Sequence, residues 1–256
     1  MEWLTPEIGR LLARGLLYTI ALTVITSVLS LIVGIFIGSL RISGRPLLSK
    51  AAEVFVEIFR NIPALVLIIF FAFAVPNLFI VEQRQALFFE NVLAGWAEIV
   101  TGLSLPYYAL AVIVALTLNT SAYLAELFRA GVGTIPRQMV DAARSLGATR
   151  TAVYRQILLP QGVRAAFPAI TTRLIHNMKN TALASFVAVP EFFHATQTAI
   201  TRTFFALQFL LLAAVGYLLL AAIFTALLRQ IERWLEPLPE RERRRREMGA
   251  MGVGHG

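Results

Sequence analysis

The sequence has no cysteine and only three histidines among its 256 residues. Without cysteine there is no disulfide framework, no thiolate metal site and no thiol nucleophile. His176, His194 and His255 are too scattered along the sequence to suggest a metal site. No stretch matches G-x-x-x-x-G-K-[ST], the loop that holds nucleotide phosphates. We therefore expect no bound metal or cofactor, and no ATPase activity of the chain's own.

Charge is also scarce, because only 15% of the residues are charged while 57% are hydrophobic. Residues 15–40, 99–125, 203–228 and 61–81 form uncharged runs of 21 to 27 residues. About 20 such residues cross the hydrocarbon core of a bilayer as a helix. The N-terminus lacks the basic region of a cleavable signal peptide. The sequence predicts an all-α polytopic membrane protein with about five transmembrane helices.

The few charges that remain are unevenly placed, and the net charge is +8. With an N-terminus outside the cell, 16 Lys and Arg residues fall in cytoplasmic segments and 4 in external ones. This is the positive-inside pattern, so the C-terminus is predicted to be cytoplasmic. The basic tail is expected to attract anionic membrane lipids, and no nucleic-acid partner is expected.

The predicted organisation has three parts. Residues 1–14 form an interfacial segment, residues 15–235 the transmembrane domain, and residues 236–256 a basic, disordered cytoplasmic tail. The five helices are predicted at 15–40, 51–75, 107–130, 163–187 and 204–229, with an external segment at 76–106. Pro63 is expected to kink the second helix, because it removes a backbone donor. Gly34 and Gly38 in the first helix allow a neighbouring helix to approach closely.

A polar, arginine-rich segment, DAARSLGATRTAVYRQILLP, lies between two apolar runs at residues 141–160. Pro136 suits a helix start, and Gly147 can adopt the left-handed conformation that ends a helix. Thr149 can cap a second helix, which we expect to end at Pro160. The sequence therefore predicts two short helices joined by a glycine turn, within a cytoplasmic loop at 131–162.

This segment resembles the signature loop of ABC-importer permeases. The matching residues are Asp141, Ala142, Ala143, Gly147 and the Ile157–Pro160 run, with Asp141 in place of the family's usual glutamate. The resemblance implies that the first short helix is a coupling helix, which docks in a groove of a separate ATPase. Arg144 is expected to contact acidic groups there. An ordinary amphipathic helix on the bilayer surface is the alternative.

Three further stretches resemble the polar amino acid branch of these permeases. They are FRNIPALVLIIFF, LNTSAYLAELFRAG and NMKNTALASFVAVPEFF, at residues 59–71, 118–131 and 177–193. Asn180 and Ala182 depart from the family's acid and serine in the third stretch. The resemblance implies a permease subunit for polar amino acids in the bacterial inner membrane. It implies two ATPase subunits that bind ATP and Mg, a second permease chain, identical or paralogous, and an extracytoplasmic amino-acid-binding protein.

The fourth predicted helix is unusually polar, and each charge at the bilayer centre costs roughly 2.5–3.5 kcal/mol. It must therefore be buried or line a wet cavity. We predict a substrate pocket formed by Asn119, Tyr123, His176 and Asn180. A neutral Asn180 favours neutral or acidic amino acids over cationic ones. The alternative is that these polar groups only tie helices together.

Glu126 and Arg60 are predicted at similar depths in neighbouring helices, where they could pair as a gate or brace. Two other functions stay open at this point. An ion-driven secondary transporter would use Arg173, His176 and Lys179 as coupling groups, although no internal repeat is evident. A membrane scaffold would dock a soluble partner through the 141–160 segment.

Overall fold

A computed structural model describes residues 4–84 and 107–235, and every regular element in these two ranges is helical. The α-helices are α1 Pro6–Arg41, α2 Pro46–Asn61, α3 Ala64–Ile69, α4 Val81–Arg84, α5 Tyr107–Gly133, α6 Arg137–Ser145, α7 Arg150–Val153, α8 Leu159–Asn180, α9 Phe192–Thr203 and α10 Ala206–Leu235. The prediction of an all-α membrane protein is confirmed. Most of the predicted external segment, and the predicted disordered tail, lie outside the described residues.

The first helix begins at Pro6, nine residues earlier than predicted, so most of the expected interfacial segment is continuous with it. The Thr5 side chain accepts a hydrogen bond from the Ile8 amide, and Pro6 follows as the first helical residue. A capping threonine and a proline at the first position both favour a helix start. Local capping therefore decides the boundary, while the charges of Arg10 and Arg14 do not interrupt the helix.

Helices α1 and α5 pack against each other over much of their length. A Cβ added at Gly34 would lie 2.6 Å from the Leu124 Cβ, and one at Gly38 would lie 2.8 Å from the Ala125 carbonyl oxygen. Only glycine leaves room for this approach. The prediction that the glycine pair admits a neighbouring helix is confirmed.

The prediction of one continuous second helix is wrong. Helix α2 ends at Asn61, and α3 begins at Ala64. The two parts of the bent pair, Pro46–Asn61 and Ala64–Leu78, make an angle of 100°. Pro63 has no N–H to donate, and the residue before a proline avoids the helical region. Ile62 is accordingly extended, with φ −86° and ψ 127°. We call residues 61–63 the α2–α3 break.

Helices α5 and α8 touch beside the predicted cytoplasmic loop through two further glycines. A Cβ on Gly131 would lie 2.5 Å from the Gly162 carbonyl oxygen, and a Cβ on Gly162 would overlap the Val132 side chain. The backbones of the two helices are therefore in direct contact at this point. Since α6 and α7 lie between these glycines in the chain, the contact closes the base of the predicted cytoplasmic loop.

The last third of the fold differs from the prediction in one element. Helix α8 continues as a 3-10 helix at Thr181–Val187, and α9 follows at Phe192–Thr203, where no helix was predicted. Helix α9 is short and mixes apolar with polar residues, so a search for long apolar runs misses it. Helix α10 then runs from Ala206 to Leu235, longer than predicted at its C-terminal end.

Three described helices, α1, α5 and α10, are long and apolar enough to cross a membrane, and the bent pair adds a fourth if it counts as one span. Helix α8 has 22 residues, about 33 Å at the usual rise of 1.5 Å per residue. It has the length of a span but is too polar to qualify by composition. Five spans require that α8 also crosses the membrane, so the number of spans stays a prediction.

Candidate functional site

The α2–α3 break is held by side chains of α5. The Asn119 amide nitrogen donates to the carbonyl oxygens of Phe59 and Ile62 at 2.8 and 3.2 Å. The Tyr123 hydroxyl donates to the Arg60 carbonyl oxygen at 3.0 Å. A break in a membrane helix frees carbonyl groups, and neighbouring side chains must satisfy them. Asn119 and Tyr123 do this, which explains two polar residues four apart on one face of α5.

The same two residues hold Arg173 of α8. Its Nη2 donates to the Asn119 Oδ1 at 2.6 Å, and its Cζ lies 3.7 Å from the centre of the Tyr123 ring. The Arg173 Nε is buried and has no hydrogen-bond acceptor in the described part of the chain. We call Asn119, Tyr123 and Arg173 the break cluster. It joins the α2–α3 break, α5 and α8.

The predicted pocket residues are therefore only partly brought together. Asn119 and Tyr123 share the break cluster, whereas the His176 side chain is exposed on α8 and Asn180 is half-buried at its C-terminal end. Thr172 and Lys179 are exposed on the same side of α8 as His176. Helix α8 thus has a polar, basic face that no described part of the chain covers.

Asn177 is the buried amide of α8, and the sequence-based pocket did not include it. Its Oδ1 accepts from the Thr120 hydroxyl at 2.9 Å, and its Nδ2 donates to the Thr26 hydroxyl at 2.8 Å. Asn177 thereby links α1, α5 and α8. The sequence shows an asparagine among several polar residues of α8, but only packing shows that Asn177 faces inward while His176 faces outward.

Glu126 has partners other than the predicted Arg60. Its carboxylate pairs with Arg41 of α1 and with Arg129 one turn along α5, where the Arg129 Nη2 lies 2.6 Å from Oε1. None of the ion pairs found among the described residues includes Arg60. The physical reason is that α1 packs directly along α5 and ends beside Glu126. The brace therefore joins α1 to α5 at the end of the bundle that leads into α6.

The predicted coupling segment, residues 136–160, contains the glycine turn that the sequence predicts. Helix α6 ends at Ser145, and Gly147 adopts a left-handed φ of +83°. The Ala148 amide donates to the Ala143 carbonyl and the Gly147 amide to the Arg144 carbonyl, which together form a Schellman motif. Thr149 then caps α7 through the Ala152 amide at 3.2 Å. The glycine turn and the threonine cap are confirmed.

The predicted end of the second short helix at Pro160 is wrong. Helix α7 passes through a π-helical turn at Tyr154–Leu158 and continues directly into α8. Pro160 lies in the first turn of α8, and a π turn relieves the clash that a proline causes inside a regular helix. The second half of the coupling segment is thus a rigid extension of α8. The Tyr154 hydroxyl contacts the Ser39 hydroxyl of α1 at 2.5 Å.

Helix α6 is strongly amphipathic, but none of its residues is fully buried against the described parts of the chain. Asp141, Ala142 and Arg144 are exposed, Ala143 is half-buried, and the Leu146 side chain is 89% exposed. Beside it, a cleft of about 700 Å³ lies between the end of α1 and the coupling segment. Arg45, Arg144 and Arg150 line this cleft. The face offers an apolar tip and a basic rim to a partner.

One further buried polar group was not among the predicted site residues. Glu191 is fully buried and caps α9 by accepting from the amides of Phe193 and His194. It also accepts from the hydroxyls of Thr19 at 3.2 Å and Tyr217 at 2.7 Å. Glu191 therefore joins α1, α9 and α10. Glutamate is not among the residues that commonly cap helices, so the sequence carries no clear signal for this cap.

We expect Asn119→Ala to destabilise the protein by about 2–3 kcal/mol, because two carbonyls and a guanidinium lose a hydrogen-bond partner. Ser121→Ala is the matched control, since among the described residues the Ser121 hydroxyl bonds only to the Leu118 carbonyl of its own helix. Thermal unfolding of the detergent-purified variants measures both. Equal melting temperatures would show that Asn119 does not hold the break.

Comparisons with known proteins identify the family of the chain. The family model described as "Binding-protein-dependent transport system inner membrane component" matches residues 30–237. The arginine transport system permease protein ArgU of Corynebacterium glutamicum is 27% identical over 248 residues, covering 96% of this chain and 74% of that protein. The probable glutamine ABC transporter permease protein GlnP of Bacillus subtilis is 34% identical, covering 72% of this chain and 73% of that protein.

Solved structures show the same fold. A chain of an amino acid ABC transporter crystallised with histidines superposes with a TM-score of 0.70 at 24% identity, covering 89% of this chain and 95% of that chain. A chain of an inward-facing MetNI methionine ABC transporter superposes with a TM-score of 0.69 at 21% identity, covering 91% of this chain and 100% of that chain. With a family model that matches 208 of its 256 residues, the chain belongs to the family of binding-protein-dependent transport system inner membrane components.

Proposed function

We propose that this chain is the permease subunit of an ATP-driven importer for polar amino acids. Two ATPase subunits bind ATP and Mg on the cytoplasmic side, and an extracytoplasmic binding protein delivers the substrate. The relatives named for arginine and glutamine transport support this substrate class. The N-terminus lies outside and the C-terminus in the cytoplasm, in accord with the distribution of basic residues.

The observation that carries the proposal is the coupling segment at residues 136–160. None of the residues of its first helix is fully buried against the other described residues, although the sequence makes this helix strongly amphipathic. Its tip is an exposed leucine, Leu146, beside three arginines that line a cleft. An apolar tip with a basic rim suits a groove on an ATPase with acidic groups at its edge. The docking helix contains Asp141, Ala142, Ala143 and Arg144, and Gly147 follows its end.

Coupling also requires that force on this helix reach the transmembrane bundle. Shifting a two-state equilibrium from 1:99 to 99:1 takes about 5.5 kcal/mol of differential binding. The contact of Gly131 with Gly162 ties the two ends of the loop together, and α7 continues without a gap into α8. A displacement of α6 would therefore move α5 and α8 as one unit. Arg41, Glu126 and Arg129 extend this unit to α1.

A second permease chain, identical or related, completes the path. The uncovered face of α8 carries Thr172, His176 and Lys179, and lipid contact of this face would be costly. A second chain facing it across a wet pathway removes that cost. In this arrangement His176 and Asn180 line the pathway, and Asn119 and Tyr123 lie behind them in the break cluster.

The test is a pull-down of the tagged chain from solubilised native membranes. We expect an ATPase subunit to co-purify with the parent and to be lost with Asp141→Lys. Glu57→Lys is the matched control, because Glu57 is an exposed carboxylate of α2 outside the coupling segment and the charge change is identical. Loss of the ATPase in both variants would point to a general charge effect.

Reconstitution separates the proposal from its alternatives. An importer permease should raise the ATPase activity of the complex when the loaded binding protein is added. An ion-driven transporter or a docking scaffold should not. If no protein with a nucleotide site binds the parent in several detergents, the coupling argument fails and uptake driven by an ion gradient becomes the next measurement.

A further inference from the structure

Arg173 is a half-buried charged side chain of α8 for which the described residues supply no counter-ion. Its two observed partners, the Asn119 amide oxygen and the Tyr123 ring, are neutral. Glu126 and Glu191, two carboxylates of the described helices, are already engaged. Glu126 pairs with Arg41 and Arg129, and Glu191 accepts four hydrogen bonds elsewhere.

This arrangement fixes the guanidinium without neutralising it. Asn119 is itself fixed by the carbonyls of Phe59 and Ile62, and Tyr123 by the carbonyl of Arg60. The Arg173 Cζ lies over the Tyr123 ring, and the Asn119 amide oxygen occupies one N–H. The buried Nε has no acceptor within residues 4–84 and 107–235. A buried charge is stable only when it is paired, and a guanidinium matches a carboxylate with two parallel hydrogen bonds.

We propose that Arg173 is the binding point for a carboxylate group of the transported substrate. The inference rests on the proposed function, because it needs an amino acid that passes through this bundle. The break cluster holds the guanidinium in position, and the substrate supplies the missing negative charge. His176 and Lys179, on the exposed side of α8, add no negative charge to this region. The site should therefore reject substrates with a cationic side chain.

The carboxylate could be the α-carboxylate shared by all amino acids or a second one on the substrate side chain. Glutamate, glutamine and arginine distinguish the two sources. If Arg173 binds the α-carboxylate, its loss weakens the binding of glutamate and glutamine equally. If it binds a side-chain carboxylate, glutamate alone is weakened. In either case arginine is the poorest of the three ligands for the parent.

The experiment measures equilibrium binding of the three radiolabelled amino acids to the permease–ATPase complex in nanodiscs, without the binding protein. The variants are Arg173→Gln, Arg173→Lys and Arg164→Gln. Arg164 is the matched control, because it is an exposed arginine of the same helix outside the break cluster. We expect Arg173→Gln to weaken binding about ten- to a hundredfold, as the loss of a charge-assisted hydrogen bond does. Arg173→Lys should lose less, and Arg164→Gln should bind as the parent does.

Two outcomes overturn the inference. One is parental affinity of Arg173→Gln for all three amino acids. The other is a parent that binds none of them or prefers arginine. If Arg173→Gln does not assemble, Arg173→Lys replaces it and should still weaken binding, because an ammonium group cannot form two parallel hydrogen bonds with a carboxylate. If the parent holds no ATPase, the proposed function fails separately, and binding to the purified permease alone still tests Arg173.

Discussion

Replacing Glu191 by alanine is expected to destabilise the protein by about 4 kcal/mol or more. The side chain accepts from two amides and two hydroxyls, and alanine leaves all four donors without this acceptor. It also removes the cap of α9 and the polar link that Glu191 makes between α1 and α10. Thermal unfolding of the detergent-purified protein measures the loss, and we expect little folded protein at 37 °C.

Two variants test whether the loss of these four hydrogen bonds causes the destabilisation. Glu191→Gln keeps the size and one acceptor oxygen of the side chain but turns an N–H₂ group toward other donors. Its loss of stability should therefore be clear but smaller than that of Glu191→Ala. Thr198→Ala removes a hydroxyl that bonds, among the described residues, only to the His194 carbonyl within α9, and its melting temperature should stay near the parent's. A melting temperature of Glu191→Ala equal to that of Thr198→Ala would contradict this account of Glu191.

The second large effect is expected at the base of the coupling loop. Gly131→Ala places a methyl group 2.5 Å from the Gly162 carbonyl oxygen and 3.0 Å from Ala166, so α5 and α8 must separate. Overpacking of this kind costs about 1–3 kcal/mol, which corresponds to roughly 5- to 150-fold in a coupled equilibrium. We expect transport in proteoliposomes to fall by about this factor, while the ATPase subunit still co-purifies.

The control lies two residues away. A Cβ on Gly133 meets no described atom within 4 Å, and Gly133 belongs to the same helix as Gly131. Gly133→Ala should therefore transport as well as the parent, or better if the alanine stabilises the end of α5. If both variants lose transport equally, a change in local helix propensity explains the effect. If neither does, the glycine contact does not transmit motion.

Much of the coupling segment could be predicted from the sequence, because its signals are local. Gly147 and Thr149 act on the backbone within three or four residues of themselves, so their roles do not depend on the rest of the fold. The uncharged runs likewise predicted α1, α5 and α10, since membrane insertion depends on composition. The break at Pro63 was visible as a kink, although its angle depends on α5.

The break cluster could be predicted only in part, because its partners are distant in sequence. Helix α8 has polar residues on several sides, and its sequence does not say which side faces the core. The sequence therefore suggested His176 and Asn180, while packing buries Asn177 and brings Arg173 to Asn119. Glu126 was recognised as a member of an ion pair, but its partner Arg41 depends on how α1 lies along α5.

The sharp turn between α2 and α3 has a consequence for biosynthesis. The carbonyls at the turn are satisfied by Asn119 and Tyr123, which the ribosome adds about 60 residues later. Until α5 is made, these carbonyls lack the partners that α5 supplies, and hydrocarbon cannot solvate them. We therefore expect the turn between α2 and α3 to stay in contact with water or with polar groups of the translocon until α5 arrives. Insertion of α2 and α3 is then completed together with α5.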